Sequence, residues 1–369
     1  MFKLQSALGA LRFMVRRSGK PWGIFARSAD YILSFLIYLG SVKKLKSAYQ
    51  AYQTGASSPI NVDHLIVGTN FMSKGKLRNK MVEDAHFQLN LSVFSQLPSI
   101  LPEFDIDEQV NLLNLHGFTH LPVRLPINLV ENLVDLAQNS HVVPTKYAKD
   151  RSSKPVPDPE IDHIWDVPFA NSVESKIVQS VLQDKQLITL AAKYLNANPV
   201  VIGSRLYYSI AHKNREFLTP ENWHVDAGDG LRFVKTFIAL SNIESSNGPT
   251  GFIQGTHQSL SRKYYSGRRF FPEEIEQKFK GRFVEATGKV GTIYFVDTRG
   301  LHRGTPVREG SRLLFHYLYG TDFFGSARPT TFGLKRSACF GDGFQGHLAR
   351  TFSAYRSNSP ADTSKIMGP

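Results

Sequence analysis

The sequence predicts a mainly β fold with flanking helices, and three patterns support this prediction. Short apolar runs alternate with Gly, Asn and Pro turns from about residue 200 to 322, which is typical of a closed or double-sheet jelly roll. Apolar residues at helical spacing precede this region, in 127–138 and 173–195. Residues 1–55 also have a helical pattern, which ends at the turn-forming segment 55–59.

The helix predicted over 127–138 has Leu129, Leu133 and Leu136 on one face, which gives it an apolar side to bury. Pro126 comes just before it, and a proline costs no hydrogen bond in the first turn of a helix. Residues 146–158 are rich in Lys, Pro, Ser and Asp, so we expect a surface loop there.

Composition narrows the class of protein. A chain of 369 residues can hold one large β domain with appendages. The single cysteine, Cys339, excludes an intramolecular disulfide framework and a cysteine-based zinc site, and it fits the reducing cytoplasm. Residues 1–50 carry nine Lys or Arg against one acid, so +8 of the formal net charge of +13 lies there. The rest of the chain is only mildly basic and has no evident basic stripe, so no nucleic-acid partner is expected.

The basic N-terminal arm, residues 1–50, allows three interpretations. Its apolar run at 31–39 is flanked by Arg27 and by Lys43, Lys44 and Lys46. A membrane-spanning helix needs about 20 apolar residues, so this run is too short to cross a bilayer. Basic flanks around an apolar stripe can lie on an anionic membrane surface, as a peripheral contact. The alternatives are a helix packed against the main domain or against a second subunit.

The most specific motif is His224-Val225-Asp226, which is followed further along the chain by His302 and Arg312. In an extended strand, residues i and i+2 point the same way, so His224 and Asp226 can both reach one metal ion. Two histidines and one carboxylate can occupy one face of an Fe(II) octahedron and leave positions for a co-substrate and O2. An arginine after the second histidine can hold the far carboxylate of a 2-oxo acid through a two-pronged contact. The pattern favours an oxygen-activating iron enzyme.

Both downstream residues stand beside predicted strands. His302 follows the β-rich run 291–297, and Arg312 lies at the start of a second strand, 311–319. One face of this second strand is expected to carry Arg312, Leu314, His316 and Leu318.

Residues from about 109 to 322 resemble the phytanoyl-CoA dioxygenase family of Fe(II)/2-oxoglutarate oxygenases. The segments that carry the resemblance follow in the family's order: Leu115-His116-Gly117-Phe118, Trp223-His224-Val225-Asp226, Asn247-Gly248-Pro249, Gly255-Thr256-His257, Gly291-Thr292 through Asp297, His302, Gly304 and Arg312. The resemblance covers a little over half of the chain.

The resemblance implies a double-stranded β-helix (jelly-roll) core with an α-helical N-terminal extension. The expected organisation is an extension at 1–60, a connecting region at 61–108, the oxygenase domain at 109–322 and a tail at 323–369. It further implies that His224, Asp226 and His302 bind Fe(II) and that Arg312 binds the co-substrate 2-oxoglutarate. With O2, such an enzyme hydroxylates a C–H bond of a small organic or acyl-type molecule and releases succinate and CO2. The carboxylate of Asp226 favours hydroxylation over halogenation, since related halogenases lack it.

Six further residues are expected near the co-substrate or the metal. By family order Phe237 lines the 2-oxoglutarate pocket, Thr305 supplies a small hydroxyl group, and His257 lies behind the ligands or at the pocket rim. Tyr208, on a strand before the metal motif, is a candidate hydrogen-bond donor to the 2-oxo acid, as is its neighbour Tyr207. Lys235 is expected either to face the pocket and pair with an anion or to lie at the sheet edge in water.

Two other functions stay open. One is a metal-dependent jelly-roll enzyme that uses no 2-oxoglutarate, such as a cupin-like isomerase or O2 enzyme. The other is a non-catalytic binding module of the same fold. Arg312 discriminates the first alternative, because 2-oxoglutarate needs an anchor for its far carboxylate.

Overall fold

A computed structural model describes residues 89–145, 148, 150–211, 221–226, 232–258, 260–261, 264 and 269–320, with seven further positions between 340 and 355. They all lie in the larger of the two units into which the chain divides, Ile60–Pro369. The predicted N-terminal extension with its apolar run, most of the connecting region 61–108 and most of the tail 323–369 lie outside the described residues.

Helices precede and connect the strands in the described part of the chain. A 3-10 helix covers Leu91–Gln96. The α-helices are α1 (Ile106–His116), α2 (Ile127–Gln138), α3 (Phe169–Glu174), α4 (Lys176–Leu182), α5 (Lys185–Leu195) and α6 (Pro272–Lys278). None of the described helices is both long enough and apolar enough to cross a membrane.

The helix predicted over 127–138 is confirmed as α2, whereas the pattern over 173–195 forms three short helices. Ser175 adopts an extended conformation between α3 and α4, so the helical hydrogen bonds stop there. Asp184 then caps α5, because its carboxylate accepts the backbone N–H of Leu187. Apolar periodicity continues across both breaks, so this pattern alone does not reveal them.

The larger sheet has seven antiparallel strands in the order β1-β8-β5-β10-β4-β3-β2. Their bounds are β1 (Phe118–Arg124), β2 (Val143–Pro144), β3 (Ile164–Asp166), β4 (Val200–Ile210), β5 (Phe233–Ala239), β8 (Thr292–Val296) and β10 (Ser311–Gly320). The smaller sheet has the order β7-β6-β9, with β6 (Thr250–Ile253), β7 (Phe283–Glu285) and β9 (His302–Gly304).

The two faces of the larger sheet bury different clusters. One face packs against the helices, through residues such as Leu206, Phe315 and Leu190 of α5. The other face carries Tyr207 and Leu314, which pack with β6 of the smaller sheet. Alternation of side chains along each strand produces this division. Two antiparallel sheets with an apolar filling between them, and helices on the outside, are consistent with the jelly-roll-like core that the sequence predicts.

The face predicted for β10 holds only in part. Leu314 packs between the sheets as expected, whereas Leu318 belongs to the cluster on the helix side. The pairing of β10 with β4 shifts register between Tyr317 and Tyr319, and such an irregularity interrupts strict alternation.

Candidate metal centre

The smaller sheet brings the two histidines of the motif together. His224 pairs with His302 as an isolated antiparallel bridge next to β9, and their rings lie 4.2 Å apart. Asp226 follows two residues later, and its backbone N–H donates to the carbonyl of Thr298 at 2.9 Å. One ligand atom from each of His224, Asp226 and His302 lies within 4.8 Å of the others. Among the described residues, these three form a group that could hold a metal ion.

Backbone carbonyls orient both imidazole rings. The Nδ1 atom of His224 lies 2.9 Å from the carbonyl oxygen of Asn222, and that of His302 lies 3.1 Å from the carbonyl oxygen of Gly300. A carbonyl can only accept, so each Nδ1 carries the hydrogen and each Nε2 keeps its lone pair. Burial and the neighbouring His302 hold the pKa of His224 well below its ordinary value. His224 is therefore a neutral imidazole, which is the form that binds metal.

Asp226 pairs with Lys235 on the inner face of β5. The Lys235 Nζ lies 2.6 Å from Asp226 Oδ2, and the His302 Nε2 lies 3.4 Å from the same oxygen. Burial alone would raise the pKa of Asp226, but the ammonium group of Lys235 and the two histidines hold it well below its ordinary value. Asp226 is thus a carboxylate throughout the physiological range. The anionic partner of Lys235 is the proposed metal ligand Asp226, and its contact with a co-substrate stays a prediction.

The donor set fits Fe(II). Two imidazole nitrogens with fixed tautomers and one ionised carboxylate converge from two short segments, and this combination suits a ferrous ion that keeps open positions. The second-layer contacts that such sites need are also present, since both imidazoles donate to carbonyls and Asp226 accepts from Lys235.

Arg312 is buried at the start of β10. The Nη1 group of its guanidinium donates to the carbonyl of Gly248. The Nη2 group donates to Ser209 Oγ, at a distance of 3.1 Å. Among the described residues, the Nε of Arg312 has no hydrogen-bond partner. Burial lowers the pKa of Arg312, while the hydroxyl groups of Tyr207 and Tyr294 act in the opposite direction. A buried guanidinium that lacks a carboxylate partner is costly, and an anionic ligand would compensate for that cost.

A narrow apolar pocket lies between the two sheets, and in this structure it is too small to admit a water molecule. Its lining residues are Phe237, Ile243, Thr250, Phe252, Ala286, Tyr294, Val296 and Leu314. Phe252 stacks on the ring of His302 at 6.3 Å, so this wall reaches the triad. Tyr294, on another wall, interacts electrostatically with Arg312. Two lining residues therefore lie next to His302 and Arg312 respectively, and Phe237 is also part of the lining. Its contact with 2-oxoglutarate stays a prediction.

The structure places the predicted hydroxyl residues differently. Tyr208 pairs with Leu313 and packs against the core cluster on the helix side of β4, whereas Arg312 is opposite Ser209. This position does not favour Tyr208 as a co-substrate ligand, and that role stays a prediction. Tyr207 points between the sheets instead, because side chains alternate along a strand. Thr305 lies at the turn beside Gly248, and its Oγ1 is buried without a hydrogen-bond partner.

His257 lies close to Gly300, in the turn before β9. Its ring is buried, and its Nε2 lies 3.2 Å from the carbonyl oxygen of Asn114. Its backbone contacts Gly300, whose carbonyl orients His302. Burial lowers the pKa of His257. This residue therefore supports the loop that carries a ligand, which is one of the two positions expected for it.

Four residues around the centre were not found from the sequence. Two of them, Ser209 and Tyr294, lie beside Arg312. The other two form an ion pair, in which the Nε atom of Arg205 lies 2.6 Å from Oδ1 of Asp166. The guanidinium of Arg205 also lies over the ring of Tyr207, at 4.6 Å. Ser209 is opposite Arg312 on the adjacent strand, and this register between distant strands could not be obtained from the sequence. The sequence carries no sign of the contact between Arg205 and Asp166.

Several solved structures share parts of this architecture. EctD from S. alaskensis, in its apoform, is 19% identical, with 65% of this chain and 88% of EctD covered and a TM-score of 0.45. HygX from Streptomyces hygroscopicus, with nickel, 2-oxoglutarate and hygromycin B bound, is 16% identical, with 62% and 93% covered and a TM-score of 0.43. The epimerase SnoN, in complex with Fe3+, alpha ketoglutarate and nogalamycin RO, is 15% identical, with 58% and 82% covered and a TM-score of 0.41.

No protein-family model matches this chain, and the search of curated proteins gives no match. At the identities and TM-scores of the solved structures, the reaction and the substrate have to be argued from the residues of this chain.

Proposed function

We propose that this protein is an Fe(II)/2-oxoglutarate-dependent dioxygenase that hydroxylates a C–H bond of a small organic or acyl-type substrate. One observation carries the proposal: a His-Asp-His triad that could hold a metal ion and the buried Arg312 are both adjacent to the apolar residues between the sheets, through Phe252 on His302 and Tyr294 beside Arg312. Among the described residues, Arg312 has no carboxylate partner. Within this class, the order of the motifs favours the phytanoyl-CoA dioxygenase family. We assign the activity to residues 109–322.

The chain's own residues hold the reacting groups in place. His224 and His302 present Nε2, and Asp226 presents a carboxylate, so together they would bind Fe(II) on one face. When bound with 2-oxoglutarate, the ferrous ion supplies the O2-dependent oxidation of a C–H bond, with release of succinate and CO2. Lys235 keeps Asp226 ionised and oriented, which holds the carboxylate ready for the metal.

Arg312 would bind the far carboxylate of 2-oxoglutarate. Its guanidinium is buried, and Ser209 and Tyr294 lie beside it as hydroxyl partners for the same carboxylate. The apolar lining, which includes Phe237 and Val296, would cover the methylene groups of the co-substrate and keep water away from the charge pair. A carboxylate bound in these apolar surroundings would interact more strongly with arginine than it would in water.

Asp226 also bears on the outcome of the reaction. Its carboxylate converges on the same point as the two imidazoles, so it would fill the position that a halide would need. We therefore propose hydroxylation and not halogenation.

The test is an anaerobic titration of the purified protein with Fe(II) and 2-oxoglutarate, followed by visible absorption. We expect a weak charge-transfer band for the wild type and none for His302→Ala, while the exposed His141→Ala serves as the matched histidine control. After admission of air, the wild type should form succinate, and a screen of candidate substrates should raise that rate.

Two outcomes would support the other functions. If the protein binds Fe(II) but 2-oxoglutarate produces no band and no succinate, a metal-dependent enzyme without a 2-oxo acid becomes the better account. If the wild type binds no metal, the chain is a binding module of the same fold.

A further inference from the structure

A buried ion pair lies in the turn before β9. The guanidinium of Arg299 forms a two-pronged contact with the carboxylate of Asp297. Its Nε lies 2.7 Å from Oδ1 and 2.8 Å from Oδ2, and its Nη2 also donates to Oδ2. Both side chains are almost completely shielded from water, at 4% and 0% exposure. Burial alone would raise the pKa of Asp297, but Arg299 lowers it below its ordinary range, so the pair is ionised.

The pair is fixed to the helical layer through Tyr194. The phenol of Tyr194, on α5, donates to Asp297 Oδ2 at 2.5 Å, and this contact joins residues 103 positions apart. Tyr194 is itself buried, and the guanidinium of Arg232 lies over its ring at 4.7 Å. The turn at 297–300 is therefore held from outside the sheets by a helix that bears no part of the metal triad.

The same turn supplies the backbone groups that orient two of the three proposed metal ligands. The carbonyl of Thr298 accepts the backbone N–H of Asp226 at 2.9 Å. The carbonyl of Gly300 accepts from Nδ1 of His302 at 3.1 Å. Asp297 and Arg299 alternate with these two residues along the turn, so movement of the ion pair would shift both carbonyls at once.

We propose that Tyr194, Asp297 and Arg299 are positioning residues for the metal centre, and we call them the turn lock. The turn lock fixes the ring of His302 and the backbone of Asp226 before a metal arrives, so that metal binding requires no ordering of the turn. This inference depends on the proposed metal site. It assigns these residues no contact with substrate or co-substrate.

The chemistry of the lock suits a positioning role. A two-pronged guanidinium–carboxylate contact defines an orientation, whereas an apolar pair of the same volume would define only a distance. Buried ion pairs add little net stability relative to apolar residues, so stability alone is a weak reason for one here. Partners behind metal ligands typically affect metal affinity by about 10–100-fold. The lock should therefore have a larger effect on metal affinity than on folding.

The experiment measures the affinity of the full chain for Co(II), which has an absorption spectrum sensitive to ligand geometry. Tyr194→Phe removes only the hydroxyl group that ties the turn to α5. The double variant Asp297→Asn with Arg299→Gln replaces the charged pair by neutral amides of similar shape and leaves no unpaired buried charge. Arg299→Lys keeps the charge but loses the two-pronged contact. Asp184→Asn is the matched control, because Asp184 is a buried carboxylate at the start of the same helix and contacts only backbone and capping groups.

We expect the double variant to bind Co(II) at least about 10-fold more weakly and with an altered spectrum. Tyr194→Phe should show a smaller loss and Arg299→Lys an intermediate one. Asp184→Asn should lower the melting temperature and leave Co(II) affinity unchanged.

Each remaining outcome has a separate meaning. If the double variant and Tyr194→Phe melt at lower temperature but bind Co(II) as the wild type does, the three residues only stabilise the fold and the proposal is wrong. If the double variant does not fold, Tyr194→Phe decides by the same criterion. If the wild type itself binds no Co(II), the proposed function fails, and the turn-lock proposal fails with it.

Discussion

His224 and His302 exchange two backbone hydrogen bonds, of 3.0 and 2.9 Å, across the edge of the smaller sheet. This pairing, between residues 78 positions apart, sets the distance between the two imidazoles before any ion is bound. Asp226 completes the group because it lies two residues beyond His224, on the same segment. The metal centre is thus formed by backbone pairing, and its side chains need little rearrangement.

Arg312 should govern the affinity for 2-oxoglutarate and not the affinity for metal. Arg312→Ala is expected to weaken 2-oxoglutarate binding at least about 30-fold, since removing one partner of a buried charge pair costs about 2–5 kcal/mol. Arg312→Lys should recover only part of that loss, because an ammonium group cannot form the two-pronged contact. The anaerobic titration measures both affinities, with Arg151→Ala, at an exposed arginine, as the matched control. Unchanged 2-oxoglutarate affinity in Arg312→Ala would transfer the role of anchor to another basic residue such as Arg308.

Lys235 should protect metal binding at acidic pH. Its ammonium group holds the pKa of Asp226 well below the ordinary value, against the opposing effect of burial. In Lys235→Met burial dominates and the pKa of Asp226 rises, so protons should compete with the metal at a higher pH than in the wild type. We expect the ratio of variant to wild-type Co(II) affinity to fall between about pH 7 and about pH 5. Lys289→Met, at an exposed position, provides the control. A ratio that does not vary with pH would show that Lys235 does not set the ionisation of Asp226.

His316 should make the fold sensitive to acid. Burial, followed by Arg205 and Lys235, holds its pKa well below the ordinary value of about 6.5. Above that value the imidazole is neutral in both the folded and the unfolded chain, so it has no effect on the pH dependence. Below it, the unfolded chain gains a proton that the folded chain does not, so stability falls as pH falls.

His316→Asn removes this titration. We expect the difference in melting temperature between about pH 7 and about pH 5 to be smaller in His316→Asn than in the wild type. The exposed His141→Asn should keep the wild-type difference. Equal pH dependence in His316→Asn and the wild type would contradict the assignment of a neutral His316, whatever the absolute stability of the variant.

The basic N-terminal arm, residues 1–50, should be dispensable for co-substrate turnover. It contains none of the residues proposed to bind iron or 2-oxoglutarate, so its deletion should leave substrate-free formation of succinate nearly intact in a folded protein. We propose that the arm contacts an anionic membrane surface. Binding of the full chain to vesicles that contain phosphatidylserine should decrease with salt, since each basic residue near the surface contributes about 1 kcal/mol that screening removes. If the full chain ignores such vesicles at low salt, packing of the arm on the main domain or on a second subunit becomes the preferred account.

Patterns within short stretches of sequence were sufficient for the strand alternation, helix α2 and the choice of metal-binding candidates. His224 and Asp226 could be paired from sequence because a strand has a period of two, which is a local property of the backbone. The same local rule could not decide between Tyr207 and Tyr208, since either parity satisfies an alternating pattern. The register of β4 against β10 decides it, and that register depends on residues about 100 positions away.

The contacts that surround the proposed metal ligands also depend on the tertiary fold and not on a local pattern. Lys235 reaches Asp226 because β5 lies beside the metal segment, and Tyr194 reaches Asp297 because α5 packs against the sheet. No local pattern marks these pairs, since a lysine on a strand or a tyrosine on a helix has many possible partners. Residue type and spacing limit which groups can act as ligands. Long-range packing determines which charges lie next to those ligands, because burial and pairing are properties of the assembled chain.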